Sequence, residues 1–121
     1  MIIKRFLPAI AWLAIVTWLL CLPGSKIPKY PWMAAIYADK WVHIFLFGML
    51  CLLFNYPLRK NSRNRSLFLT VTLCGIAYGV MMEFVQKYWI PNRSFEFLDI
   101  VADGTGCLIA FFYSRKKFRL G

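Results

Sequence analysis

Residues 78–89 read YGVMMEFVQKYW. Glu83 and Gln86 stand three apart inside an apolar run that begins at Leu67, and the fold turns on whether that run crosses a bilayer. A membrane-crossing helix needs roughly 17–25 mostly apolar residues, which the stretch from Leu67 to Trp89 supplies. The run closes on Lys87-Tyr88-Trp89, a lysine that can snorkel beside aromatic rings suited to the membrane surface. Glu83 then lies inside the span, about 9 Å below its outer edge at a rise of roughly 1.5 Å per residue.

The remainder of the chain has the same character. Of its 121 residues 60% are hydrophobic and the mean hydropathy is +0.58, against roughly 45–50% apolar residues in soluble domains. Apolar runs at about 6–22, 39–57, 67–89 and 97–114, with short connections, predict one domain over 1–121. The expected fold class is an all-α integral membrane protein, a four-transmembrane-helix bundle. An outer interfacial segment, SKIPKYPWMAAIYA at 25–38, carries prolines and aromatic residues suited to lying on the membrane. The basic and then apolar start resembles a signal peptide, but no small-residue cleavage site follows, so an uncleaved first span is expected.

Charge gives the orientation. The net charge is +10. Lys4, Arg5, Arg59, Lys60, Arg63, Arg65, Arg115, Lys116, Lys117 and Arg119 all fall on one side of the four spans. The positive-inside tendency places that side, with both termini, in the cytoplasm. These clusters are short and abut membrane ends, a pattern that suits anionic lipid headgroups rather than nucleic acid. Asp39, Glu83, Glu96, Asp99 and Asp103, all five acidic residues, map to the outer half with the single histidine, His43. The four cysteines, Cys21, Cys51, Cys74 and Cys107, form no C-x-x-C and read as free thiols.

The polar residues are paired at helical spacing: Asp39 with His43, Glu83 with Gln86, Asp99 with Asp103. Asp39 is also the expected N-cap of the second span. Gly75, Gly79, Glu83 and Gln86 share one stripe of the third span, and Asp99, Asp103, Gly106 and Ala110 one stripe of the fourth. Small residues admit close helix approach, so the ionisable groups are expected to face the bundle interior rather than lipid, where a carboxylate costs about 2.5–3.5 kcal/mol or more.

DKWVH at 39–43, EFVQ at 83–86 and NRSFEFLDIVADGTG at 92–106 resemble the signature of the VanZ-like family: Asp-Lys-x-x-His, Glu-x-x-Gln, and an arginine ahead of Asp-x-x-x-Asn-x-x-Gly. The resemblance covers about residues 35–112. This chain departs from it at Asp103, where the family often has asparagine. The resemblance implies a multi-span protein of the bacterial inner membrane, whose name-giving relative is tied to resistance to the glycopeptide teicoplanin.

Four uses of the cluster stay open at this level. One is a lock on helix register. A second is a headgroup site: Asp39, His43, Glu83, Gln86, Arg93, Asp99 and Asp103 would bind a lipid-linked envelope precursor, a membrane lipid or a glycopeptide. There Arg93 grips a phosphate or carboxylate, and His43 and Glu83 are the candidate proton-exchanging, catalytic pair. Ser94 is the nearby hydroxyl. A third is a divalent metal held by His43, Glu83, Asp99 and Asp103. The fourth, a proton relay, lacks ionisable residues in the inner half of the spans. The small size leaves room for an oligomer.

Overall fold

Proline and the basic residues decide where the helices stop. The computed structural model describes residues 2–22, 32, 38–91 and 95–118, with the side chains of residues 2, 3, 38 and 39 left aside. The expected interfacial segment lies outside the described residues apart from Trp32, which is exposed, and the backbone of Ala38. The elements are α1 (Ile2–Arg5), α2 (Leu7–Leu20), α3 (Ala38–Asn55), α4 (Asn64–Trp89) and α5 (Phe97–Lys117), with a 3₁₀ turn at Tyr56–Leu58. No strand occurs among the described residues.

Pro8, which has no N–H to continue an incoming helix, falls in the first turn of α2. Pro57 does the same after α3 and leaves a tight 3₁₀ turn. Ile90, the residue before Pro91, is extended (φ −106°, ψ 121°) and ends α4, as the clash with a following proline ring demands. Arg115, Lys116 and Lys117 continue α5 past the apolar run, their charge favoured at the negative end of the helix dipole.

The span boundaries shift accordingly. The second runs from Ala38 to Asn55 and on through the 3₁₀ turn. The third begins at Asn64, where Asn64 Nδ2 donates to Arg59 O at 2.9 Å and Phe118 O at 2.8 Å, tying the α4 start to the α5 end. The fourth extends to Lys117. Among the described residues three helical stretches, Lys40–Leu58, Asn64–Trp89 and Phe97–Lys117, are long and apolar enough to cross a membrane. The first expected span, 6–22, is the 14-residue α2, about 21 Å long against a hydrocarbon core of about 30 Å. It falls short because Pro8 separates it from α1.

Both α3 and α5 start at the same end of the bundle, Lys40 beside Asp99 at one end and Asn55 beside Ser114 at the other, and this parallel pair makes the most extensive contact, followed by α4 against α5. Glycines make that pairing close. A Cβ on Gly106 would lie 2.4 Å from Ile44 O and 2.9 Å from Gly48 N, so the α3 and α5 backbones touch directly there. The core is built from Val16, Leu20, Leu46, Phe47, Cys51, Met82, Cys107 and Ala110. Trp18, Trp41, Leu73, Met81 and Phe112 are exposed, the pattern of a bundle whose outer surface meets lipid tails. With no hydrophobic drive between helices in lipid, polar ties matter more: Trp12 Nε1 donates to Leu46 O at 3.0 Å, Asn55 Nδ2 to Ser114 Oγ at 3.0 Å, and the Thr17 and Tyr78 hydroxyls share a hydrogen bond.

Candidate functional site

One end of the bundle gathers the start of α3, the end of α4 and the start of α5. Lys40 and His43 are three apart on α3, hence on one face. Asp99 and Asp103 are four apart on α5, and both are buried. Glu83 comes from α4 and is 1% exposed. His43 Nδ1 lies 2.6 Å from Asp103 Oδ1, and His43 Nε2 lies 3.8 Å from Asp99 Oδ2. Lys40 Nζ donates to Asp99 Oδ1 at 2.7 Å and also pairs with Glu96. The Glu96 N–H donates to Glu83 Oε2 at 3.1 Å, which draws the segment ahead of α5 over the end of α4.

Gly79 creates the space for this arrangement. A Cβ there would lie 2.8 Å from Asp103 Oδ2 and 3.2 Å from Phe47 Cε2, so the Asp103 carboxylate rests against bare α4 backbone. The His43 ring lies nearly parallel to Phe47, 8° between planes, with an acid near each of its two nitrogens. Exposure falls from 47% at the Glu96 side chain through 14% at Lys40 to 2% at Asp103. The cluster is therefore a graded recess, buried at Asp103 and exposed at Glu96. Four carboxyl groups, Glu83, Glu96, Asp99 and Asp103, face one lysine among the described residues, in surroundings that penalise unbalanced charge.

The structure brings together His43, Glu83, Asp99 and Asp103 of the expected set. Gln86 is buried, but its Nε2 donates to Leu20 O at 2.8 Å and so ties down the last turn of α2 rather than joining the acids. Asp39 is the second residue of α3, inside the helix and not its cap, and its side chain is not among those described. Arg93 and Ser94 lie outside the described residues. Sequence reasoning passed over Lys40 and Glu96 as direct members. The three-residue spacing of Lys40 to His43 was the available signal for the first.

Gln86→Leu is expected to destabilise the bundle by about 1–3 kcal/mol, since Leu20 O would be buried with one fewer donor. The loss would register as a lower melting temperature in detergent.

Chemically, the His43, Glu83 and Asp103 ligand atoms lie within 4.8 Å of one another, and all three residues are buried. An imidazole oriented by one carboxylate beside a second can bind a cation, exchange a proton or hold a polar headgroup.

A family model described as VanZ/LLP1 matches residues 4–117. Uncharacterized protein C11E3.10 of the fission yeast Schizosaccharomyces pombe is 42% identical over 72 residues, which make up 60% of this chain and 43% of that protein. The matched region thus spans less than half the length of this relative. No solved structure matches the chain. The family match takes in α2 to α5 and with them every member of the acid–imidazole recess, and the chain belongs to the VanZ/LLP1 family.

Proposed function

We propose that the chain is a cell-envelope membrane protein whose recess recognises the polar headgroup of a lipid-linked or amphiphilic molecule. The observation that carries this reading is the convergence of Lys40, His43, Glu83, Asp99 and Asp103 from three helices at one end of the bundle, within a gradient of exposure. Register locking needs one or two buried polar contacts. Here the recess holds six ionisable side chains, with the exposed Glu96 toward the end where a headgroup would lie.

The orientation that goes with this reading is the one the basic residues favour. Arg59, Lys60, Arg63, Arg65 and the Arg115–Lys117 cluster would sit in the cytoplasm and the recess on the opposite side, in a bacterial inner membrane. Lowered susceptibility to teicoplanin is one form this activity can take. A relative in fission yeast shows that the similarity is not confined to bacteria, so the reading is not tied to glycopeptides.

A second reading, that the cluster is structural, draws on one specific observation: Lys40 is paired to two acids and Gln86 to a helix end. The test is to purify the full chain in mild detergent and identify what it retains by mass spectrometry. The headgroup reading expects a defined lipid or lipid-linked molecule at near one per chain. A purified chain with only bulk lipid in membrane proportions speaks for the structural reading.

A further inference from the structure

The recess is unusual in its charge. Four carboxyl groups face the one lysine that the described residues supply. Glu83, Asp99 and Asp103 are all at least nine-tenths buried. Acids buried in low-dielectric surroundings are accommodated by a proton, a basic side chain or a cation, and the described side chains set one lysine and one imidazole against these four carboxyl groups.

The imidazole adds a geometric clue. His43 is itself more than nine-tenths buried, at 6% exposed. Its Nδ1 is taken up by Asp103 at 2.6 Å. Its Nε2 points at Asp99 Oδ2 from 3.8 Å, too far for a hydrogen bond. Two metal–ligand bonds of about 2.0–2.2 Å set a pair of donors about 3–4 Å apart, so that gap is one an ion can bridge. A carboxylate on the second ring nitrogen is the arrangement that orients metal-bound histidines and raises their basicity. Ligand atoms from His43, Glu83 and Asp103 already lie within 4.8 Å of one another.

We propose that this recess binds a divalent first-row cation of the Mn²⁺ or Zn²⁺ class, held by His43 Nε2, Asp99 and Glu83, with Asp103 on Nδ1 orienting the imidazole. One imidazole with carboxylates is a mixed donor set that suits these ions better than Ca²⁺, which takes an all-oxygen cage. Exposure rising from Asp103 to Glu96 provides the entry path. The inference rests on the recess being a ligand site, and it deepens that reading: the bound cation offers open positions to the phosphate of a headgroup.

The test uses the full chain in detergent, stripped with a chelator and titrated with Mn²⁺ and, separately, Zn²⁺. Bound ion is counted by elemental analysis, and the melting temperature is followed through the titration. The expected result is one ion per chain with a saturable rise in melting temperature, abolished by His43→Ala. Asp103→Asn keeps the side-chain shape and is expected to weaken binding about 10–100-fold. Its ion-free melting curve separates loss of the ion from loss of the fold. A wild-type chain that takes up no ion, or a His43→Ala chain that binds as tightly as wild type, overturns the proposal. Retention of a lipid by a wild-type chain that binds no ion removes the cation and leaves the headgroup reading standing. One ion per chain with no lipid retained upholds the cation and removes the headgroup.

Discussion

Replacing Gly106 with alanine is expected to lower the stability of the bundle by about 1–3 kcal/mol, the range for an overpacked interior. Alanine is intrinsically the better helix residue by about 1 kcal/mol, so propensity alone predicts the opposite sign. Packing wins because of what the new methyl meets. Its Cβ would stand 2.4 Å from Ile44 O, 2.9 Å from Gly48 N and 3.1 Å from Ile44 C, all of them backbone atoms of α3. No side-chain rotation relieves that, so α3 and α5 must separate. The same separation pulls Lys40 and His43 away from Asp99 and Asp103, which sit on the opposing helix. Gly104 is the internal control. The nearest atom to a Cβ there is Ile76 Cγ1 at 4.0 Å, so Gly104→Ala is expected to melt at or above the wild-type temperature. Thermal unfolding of both variants in one detergent checks the pair. Equal melting temperatures would mean the helices do not touch at Gly106.

Lys40→Met should be the most damaging single change on the polar side, at about 3 kcal/mol or more. Lys40 is 14% exposed and its partner Asp99 9% exposed at the side chain. The loss comes less from the attraction removed than from the carboxylate left behind among Glu83, Asp103 and apolar side chains. That distinction can be measured. The double variant Lys40→Met with Asp99→Asn is expected to recover part of the loss, because the stranded charge goes with its partner. If the double variant is as unstable as the sum of the single ones, the two residues are not coupled and the ion pair contributes little.

Much of this was legible from residue order, for a physical reason. Helical periodicity and side-chain size are local, so the stripe of Gly75, Gly79 and Glu83 on α4 could be read without knowing any neighbour, and all three are buried. The same holds for Asp99, Asp103, Gly106 and Ala110 on α5. What could not be read depends on the opposing helix. Gln86 shares a stripe with Glu83, yet its partner is Leu20 O, a carbonyl 66 residues away that no spacing rule indicates. Lys40 was not counted with the site, because its charge says nothing about Asp99 until α3 and α5 are brought side by side. The ends of α2 differ from the apolar run 6–22 by only one or two residues, since composition does not fix where backbone hydrogen bonding stops.

The central claim is that Glu83 belongs to a site and is not merely a strut. Glu83→Gln addresses it most directly, since the amide oxygen can still accept the Glu96 N–H that Glu83 Oε2 accepts now, while the ionisable group is gone. Wild type and variant should be purified side by side, their melting temperatures recorded and the retained lipid or lipid-linked molecule quantified by mass spectrometry. The account predicts closely similar melting curves and a variant stripped of the molecule that wild type carries. A variant that keeps the same molecule at the same level, with its fold intact, would contradict it.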